Sequence, residues 1–521
     1  MYVVPDTHLE FFQNLNIDSD YENTIYFPTT QAKDAYFAQL PSIKTPNCTY
    51  QREKRGYCRV EIPIGQLYGR CYMRFRNNQF ENKWFYAFVD NVEYINNITT
   101  EVKYTIDVMM TWMGGSYTLD ECFIERQHSE TDNIGDNLVP EPVDIDVKVH
   151  KSVSTSGTFT NWGYIVAMKP TAVLVPSAGD MGYFSGLHYN MWTSDSDLEL
   201  FINNLSGEEQ ESIVGIFKIP LNFYPNIHQG AIDTGNPPIS YTRNIPKPVA
   251  GVTTLSGGIT PTNNKLYTYP YYNLLVASTE GDRVEYPYEL FASPEGTNNA
   301  VFEIRGLVGE QTQISLIPKG FKVPSSSYPC YTEAITMNDF SMVSWWTDTF
   351  KAFLAQQKIA LPSMAVDVAG GLASLVATGN PAPLTGAVIP IVENVSKNLI
   401  KSKLKPLEAH GKDNTNLSMV TGAYFKDFYF FEESIRPDVA RRIDNFFTMF
   451  GYAQNIVAKP NINARPYYTY VKTLGCHING SFPEEDKRQI ESIFNRGVRF
   501  WKEDHRYIGK YSEIDNSPTG A

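Results

Sequence analysis

Apolar residues recur along most of the chain at spacings that predict short elements of secondary structure. The run KWFYAFVDNVEYI at 83–95 has the aromatic and β-branched composition of a strand. Apolar and polar residues then alternate one by one over residues 101–108. A period of two places one face in a core and the other in water, as in an antiparallel sheet. Asn96 and Asn97 between the runs predict a hairpin turn, because Asn tolerates positive φ.

Farther along, shorter apolar runs predict more strands and one helical insert. WGYIVAM at 162–168 and NLLVAST at 273–279 have strand composition. The stretch 195–217 predicts a helix, and residues 229–265 predict long loops because they are rich in Gly, Pro, Thr and Asn.

Near the C-terminus the period changes to that of amphipathic helices. In RPDVARRIDNFFTMFG, Pro437 is suited to the first helical position and Gly451 to the stop. The segment SFPEEDKRQIESIFNRG at 481–497 repeats this logic, with three acids in its first turn. The apolar stripe of the first helix consists of Val439, Ile443, Phe446, Phe447 and Phe450.

These elements predict a mainly β, α+β fold built from antiparallel sheets with a few packing helices. The 521 residues suffice for several domains with sizeable cores. We predict a β-rich N-terminal domain at 1–130 and a β-rich middle domain with the helical insert at 131–344. A long apolar loop at 345–412 and an α+β C-terminal domain at 413–521 complete the predicted organisation.

Composition and charge narrow the classes of function. The net charge of −13 argues against a protein that grips nucleic acid, because phosphate binding needs a basic surface. The N-terminal MYVVPDTHLEFF lacks the basic and apolar regions of a signal peptide, which predicts synthesis in the cytoplasm without secretion. The six cysteines form no CxxC pair and are predicted to be free thiols.

Catalytic motifs are absent from the sequence. It contains no GxSxG, P-loop, HExxH or GxGxxG pattern. The acidic stretches DSDYE and DSDLE lack the glycine and distal glutamate of a calcium loop. His128, in ERQHSETD, is the one histidine within a dense polar cluster. No residue pattern therefore supports an enzyme, and we predict no cofactor, no metal and no catalytic residues, while a hydrolase stays open as an alternative.

The segment IALPSMAVDVAGGLASLVATGNPAPLTGAVIPIV at 359–392 carries one charge, Asp367. Its thirteen larger aliphatic side chains would forfeit about 20–40 kcal/mol if all were left in water, so the segment must be sheltered. A buried core hairpin, a transmembrane helix and a membrane-inserting loop sheltered by oligomer partners are the alternatives. Pro381, Pro383 and Pro390 argue against the single transmembrane helix.

The flanks favour the membrane-inserting loop. Trp345 and Trp346 suit a membrane interface, and Lys397, Lys401 and Lys405 form a basic stripe for anionic headgroups. Seven lysines and four acids give 345–412 a net charge of +3. The apolar positions assigned to this loop are Leu361, Met364, Val366, Val368, Leu372, Leu375, Val376, Leu384, Val388, Ile389, Ile391 and Val392.

Two groups of segments resemble one family of phage proteins. KWFYAFVDNVEYINNITTEVKYTIDVMMTW and FIERQHSETDNIGDNLVPEPVD resemble the N-terminal region of tail knob, or distal tail tube, proteins of small short-tailed phages. PDVARRIDNFFTMFGY, KPNINARPYYTYVKT and CHINGSFPEEDKRQIESIFNRGVRFW resemble their C-terminal region, in the same order. The resemblance is weaker over 145–344.

The resemblance implies a structural virion protein that is not an enzyme and that has tail-tube-like domains at the tail tip. Members form a hexameric tube through which the genome passes without specific binding, and they join lower collar and other tail components. An apolar loop plugs the lumen and, on ejection, forms a pore in the host cytoplasmic membrane. The loop at 345–412 has the corresponding position. The alternatives are a tail-associated cell-wall hydrolase and a receptor-binding tail protein.

Overall fold

The computed structural model divides the chain into two compact units. Unit 1 comprises Met1–Asp144, Thr262–Lys265 and Arg441–Ala521, and unit 2 comprises Ile145–Pro261 and Leu266–Ala440. The residues that the structure describes are 6–48, 56–78, 81–155, 162–169, 180–184, 187–192, 195–206, 209, 212–220, 239–278, 281–306, 314–337, 342–343, 427–502 and 505–518.

Strands account for most of the described secondary structure in both units. They are β1 (Thr7–Phe12), β2 (Asn23–Tyr26), β3 (Ser42–Cys48), β4 (Tyr57–Val60), β5 (Tyr72–Asn77), β6 (Phe85–Asn96), β7 (Thr99–Ile106), β8 (Tyr117–Leu119), β9 (Cys122–Gln127), β10 (Lys148–Thr155), β11 (Trp162–Met168), β12 (Asp180–Phe184), β13 (Leu187–Trp192), β14 (Ile213–Pro220), β15 (Ile239–Pro246), β16 (Tyr272–Ser278), β17 (Arg283–Tyr286), β18 (Asn299–Gly306), β19 (Ile314–Lys319), β20 (Ile335–Met337), β21 (Met342–Val343), β22 (Phe428–Ile435), β23 (Tyr452–Ala458), β24 (Tyr468–Leu474), β25 (Ile478–Gly480) and β26 (Val498–Lys502).

Among the described residues, helices are fewer and mostly short. They are α1 (Thr30–Gln39), α2 (Ile64–Leu67), α3 (Val108–Trp112), α4 (Asp195–Asn204), α5 (Pro437–Phe450) and α6 (Glu484–Arg496). Single turns of 3₁₀-helix lie at Ser256–Gly258, Asn264–Tyr267, Tyr288–Leu290, Tyr331–Glu333, His505–Tyr507 and Tyr511–Glu513. The predicted fold class, mainly antiparallel β with a few helices, is confirmed.

In its described residues, unit 1 contains two main sheets. A six-stranded antiparallel sheet has the order β3-β1-β5-β6-β7-β4. A five-stranded sheet has the order β2-β26-β24-β9-β23, in which β2 and β26 are parallel. Strands β8 and β25 form a small pair beside them. The five-stranded sheet therefore joins segments from both ends of the chain.

The hairpin predicted between 83 and 108 is present, with one change at its end. Val102 and Tyr104 are buried on β7 while Lys103 and Thr105 are exposed, so the predicted alternation is confirmed there. Its extension to residue 108 is wrong, because Asp107 caps helix α3 and its Oδ1 accepts from the Met110 backbone N–H at 2.9 Å. Free backbone donors at a helix start favour such a cap over further strand.

The helix starts and stops predicted near the C-terminus are confirmed. Helix α5 begins at Pro437 and ends before Gly451, which has a φ of +65°. Helix α6 lies between Pro483 and Gly497, whose φ is +99°. Both glycines adopt backbone conformations that other residues reach only with strain.

Aromatic side chains fill the larger core of unit 1. Phe37 is fully buried, and its ring stacks on Tyr72 with 5.9 Å between centroids. Trp501 lies 4.6 Å from the Tyr468 ring. Full burial of such side chains contributes about 1.5–3 kcal/mol each, so this core fixes the frame on which the surface features of unit 1 are built.

Unit 2 contains three described sheets. Their orders are β10-β22-β16-β17, β12-β13-β11-β14-β21 and β15-β18-β19-β20, with antiparallel pairing throughout. The strands predicted at 162–168 and 273–279 correspond to β11 and β16. Each of these sheets is assembled within unit 2.

Two predictions in the middle of the chain need correction. Helix α4 is confirmed, but the predicted helical stretch does not reach residue 217, because β14 pairs with β11 from Ile213. Residues 239–246 were predicted as loop, yet β15 pairs with β18 at eight consecutive positions. Both strands are rich in β-branched and aromatic residues, but the predicted helix and the predicted loop each covered them within a longer stretch.

Candidate functional site

The predicted loop at 345–412 lies outside the described residues. This includes all twelve apolar positions assigned to it and the flanking Trp345, Trp346, Lys397, Lys401 and Lys405. Among the described helices, none has the length and apolarity needed to cross a bilayer.

The structure does describe the two strands that precede and follow this segment. Strand β21 pairs with β14 at the end of one sheet of unit 2. Strand β22 lies inside another sheet of unit 2, between β10 and β16. Phe428, Phe430 and Ile435 of β22 are at most 2 % exposed. The chain therefore leaves from a sheet edge and returns to a strand fixed in a core.

His128, singled out from the sequence, lies in the core of unit 1. Its Nδ1 accepts a hydrogen bond from the Tyr470 backbone N–H at 2.8 Å, and its Nε2 is 3.1 Å from the Thr448 carbonyl oxygen. Burial and then the nearby Arg465 guanidinium lower the pKa of His128 to about 3. The imidazole is therefore neutral and holds two backbone segments together.

A polar network in unit 1 fixes the short segment Thr262–Lys265. The Asp444 carboxylate accepts from the backbone N–H groups of Thr262 and Asn263 at 2.9 and 3.0 Å. The Asn263 side chain donates to Asp444 Oδ1 at 2.8 Å. The Tyr452 hydroxyl donates to Asp132 Oδ1 at 2.7 Å. With these partners, burial of the network does not leave its central polar groups unpaired.

Beside this network is a buried ion triad. Glu141, whose side chain is fully buried, accepts from Arg126 and, at 2.6 Å, from Lys265 Nζ. Its Oε1 also accepts from the Ala453 backbone N–H at 2.9 Å. Burial lowers the pKa of Lys265, and Glu141 opposes that shift. Removing Glu141 would leave the two buried cations without their carboxylate, which is strongly destabilising.

A pocket of about 410 Å³ opens in unit 1 where β23 bulges. Gln454 and Asn455 together face Glu125 of β9, and Asn455 has a φ of +50°. Bulges of this kind often lie beside functional sites. The lining residues are Glu125, Arg126, Pro140, Pro142, Phe446, Phe450, Ala453, Asn455, Tyr470 and Lys472.

The pocket contains few groups that could take part in catalysis. Its one carboxylate, Glu125, is paired with Lys472 at 2.6 Å. The Arg126 guanidinium lies 4.7 Å from the Phe446 ring centroid. Two converging carboxylates, which a glycosidase needs, do not meet in this pocket. Within the described residues there is also no group of His, Cys, Asp or Glu arranged to hold a metal.

The sequence offered few signs of the network and the pocket. Arg126, His128, Asp132 and Glu141 all lie in the family-like stretch FIERQHSETDNIGDNLVPEPVD. Arg126 and Glu141 are 15 residues apart, but each of the four also has a partner more than 100 residues away in the chain, for example Tyr452 for Asp132 and Lys265 for Glu141. A local pattern cannot indicate such partners.

Comparisons with known proteins cover nearly the whole chain. A family model described as Bacillus phage phi29, Tail knob protein gp9, C-terminal domain matches residues 240–516. A second, described as Caudoviral major tail protein N-terminus, matches residues 5–117. The solved structure of the bacteriophage C1 tail knob protein, gp12, has a TM-score of 0.64 and 17 % identity, with 98 % of each chain covered. This chain therefore shares that fold.

Curated relatives agree with this resemblance. Tail knob protein gp9 of Bacillus phage B103 is 22 % identical over 97 % of this chain and 98 % of its own. The corresponding protein of Bacillus phage PZA is 23 % identical with the same coverage. Because the first family model matches more than half of the 521 residues, the chain belongs to the tail knob protein family.

Proposed function

We propose that this tail knob protein forms a homohexameric tube at the tail tip that conducts the phage genome. In this proposal the loop at 345–412 plugs the lumen, then leaves it and forms a pore in the host cytoplasmic membrane. The subunits join lower collar and other tail components, and DNA passes without specific binding. The protein acts first in the virion and then in the host cell envelope.

The observation that carries this proposal is the composition of 345–412 within a member of this family. Thirteen larger aliphatic side chains lie in 359–392 of a chain whose other parts are acidic. Six copies would bring some 78 of them together, six times thirteen, so that they bury one another. Once in lipid, each backbone must satisfy its own hydrogen bonds, so we propose helices on both sides of the turn at 379–383.

The net negative charge of the chain outside the loop supports a role in conducting DNA. Without the +3 of the loop, the rest of the chain has a net charge of −16. A wall with few unpaired cations does not hold phosphates by ion pairing, and DNA can therefore slide past it.

Membrane activity is tested by leakage of dye from liposomes that contain anionic lipid. A synthetic peptide of residues 355–410 should release more dye than a scrambled peptide of the same composition. Because both peptides have equal charge and hydrophobicity, equal release would contradict the proposed pore. Electron micrographs of the purified chain test the assembly separately, with six-fold rings as the expected result.

A cell-wall hydrolase remains a testable rival. Zymograms of the purified chain against host cell walls should show no clearing if the protein acts as a conduit. Clearing that persists in repeated preparations would favour the hydrolase.

A further inference from the structure

Three apolar side chains form a row across one face of the five-stranded sheet in unit 1. Phe123 of β9 is the direct partner of Val457 on β23 and of Leu474 on β24. Val457 is 72 % exposed and Leu474 is 66 % exposed. We call these three residues the apolar row. Neighbouring apolar side chains exposed to this degree are typical of a protein contact.

The surroundings of the apolar row fit an interface. Strand β23 is the last strand of the described sheet order, so its outer edge carries no described strand. Ile456 on the same strand is 45 % exposed. Lys459 follows two residues after Val457 and is exposed. An exposed, apolar sheet edge is a surface that proteins usually cover or charge.

Elsewhere in unit 1, the β6–β7 hairpin presents a second apolar group. Tyr94, Ile95 and Ile98 are 57 %, 42 % and 57 % exposed, and we call them the hairpin tip. Strand β5 pairs with β6 only up to Phe88, so the described sheet does not flank β6 on that side near the tip.

Acidic groups accompany the hairpin tip. Glu93 lies directly opposite Glu101 on β7, and like charges at such positions are unfavourable. Arg59 pairs with Glu101 at 2.9 Å. Glu93 has no ion pair with a described residue and accepts from the Asn91 amide at 3.3 Å. A cation supplied from outside this chain would therefore be favourable beside Glu93.

We propose that the hairpin tip of one copy docks on the apolar row of a second copy, with Glu93 against Lys459. Because both surfaces are exposed in one chain, they do not satisfy each other within it. One is apolar with an acid, and the other is apolar with a base. A contact between two different surfaces of identical subunits can close into a ring, which a self-complementary contact cannot. This inference rests on the assembly in the proposed function and assigns its interface.

A charge swap tests the pairing directly. Glu93→Lys and Lys459→Glu should each raise the dissociation constant between subunits about tenfold or more. The first places two lysines at the contact and the second places two glutamates there, and both pairs repel. The double variant should return it to within about threefold of the unmodified protein. Val457→Asp should abolish assembly. Mass photometry over a range of protein concentrations measures the dissociation constant between subunits for each variant.

Two matched variants control for general effects. Val252→Asp replaces a valine that is 75 % exposed in unit 2, and Glu295→Lys makes the same charge change as Glu93→Lys at another exposed acid. Both should assemble as the unmodified protein does. Far-ultraviolet circular dichroism and thermal unfolding establish that each variant is folded.

If the unmodified protein forms rings and Glu93→Lys and Val457→Asp form them equally well, the interface is overturned while the proposed function stands. A strictly monomeric unmodified protein contradicts both. Where a charge variant fails to fold, disulfide cross-linking decides: Ile98→Cys combined with Leu474→Cys should give covalent oligomers that neither single variant gives. Absence of these oligomers from assembled protein overturns the interface.

Discussion

At the scale of single residues, His128 is a buried titratable group that holds two backbone segments together. His128 attracted notice in the sequence because of its polar neighbours. The structure shows an imidazole with 3 % exposure that accepts from one backbone group and lies against the carbonyl of another. Since Nδ1 accepts, the ring proton lies on Nε2.

Replacing His128 by Asn tests this arrangement through its pH dependence. The folded pKa of about 3 lies below the ordinary value of 6.5, so the unfolded chain binds more protons between these values. Stability from this group is therefore complete above pH 6.5 and falls as pH falls toward 3. Between pH 7.5 and pH 5 the unmodified protein should lose about 2 kcal/mol that the variant keeps.

Urea unfolding at several pH values measures this difference. The variant should be less stable at pH 7.5, because the contacts of the buried imidazole are lost, and the gap should narrow toward pH 5. Parallel stability curves for the two proteins would show that His128 does not titrate as its burial implies.

Asp107 has an environment that the local sequence pattern does not predict. Its place in an alternating run suggested a solvent-facing strand position. The carboxylate is instead 1 % exposed, caps α3, and accepts from the Tyr72 hydroxyl at 2.7 Å. Tyr72 and Asp107 lie 35 residues apart in the chain and are brought together by the pairing of β5, β6 and β7, which no local pattern contains.

At the scale of elements, local signals predicted helix ends well because the chemistry of an end lies within a few residues. Proline at a helix start and glycine after its stop were sufficient for α5 and α6. Gly451 also has a second role that the sequence does not show. A Cβ placed there would lie 2.4 Å from the carbonyl carbon and oxygen of Gln127.

Gly451→Ala and Gly475→Ala separate these two roles. Both glycines have positive φ, +65° and +68°, but no atom lies within 4 Å of a Cβ built at Gly475. Gly475→Ala should therefore cost about 1–2 kcal/mol, the strain of the backbone alone. Gly451→Ala should cost about 3 kcal/mol or more, since the clash with Gln127 adds to it.

Denaturant unfolding of both variants provides the measurement. Equal losses would mean that the chain near Gln127 moves aside at little cost, and that the close approach at Gly451 does not matter for stability.

Sequence patterns do not predict which strands pair with each other. Strand β2 pairs in parallel with β26, and Arg499 donates to Asn23 across 476 positions of the chain. The helix predicted at 195–217 overlaps β14, although the sequence IVGIFKIP of that strand is rich in strand-forming residues; its pairing with β11 is a contact that a local window does not contain. Composition predicted that strands exist, whereas order and register depend on distant contacts.

At the scale of the whole molecule, one segment differs from the rest in charge and apolarity. The fold class and the family followed from sequence, and both are confirmed. The loop assignment at 345–412 stays a prediction, because its residues lie outside those the structure describes.

Asp367 is the one charge within 359–392, and its replacement by Asn tests the loop's role. An ionised carboxylate in a bilayer is costly, so Asp367→Asn should ease insertion. In the liposome assay, the 355–410 peptide with this change should release dye at a lower concentration than the unmodified peptide. Glu408→Asn, outside the apolar run, is the control and should change little. Unchanged release with Asp367→Asn would mean that this carboxylate does not restrain insertion.

The strands at either end of this segment set a topological condition on any pore. Both β21 and β22 belong to unit 2, so the two ends of the segment are attached to the same unit. A chain whose ends stay on one side of a bilayer must cross it an even number of times. In the proposed pore, each subunit would therefore contribute an even number of membrane-crossing segments. Each subunit would also stay attached to the pore through these segments. The virion would therefore remain attached to the membrane while its genome is delivered.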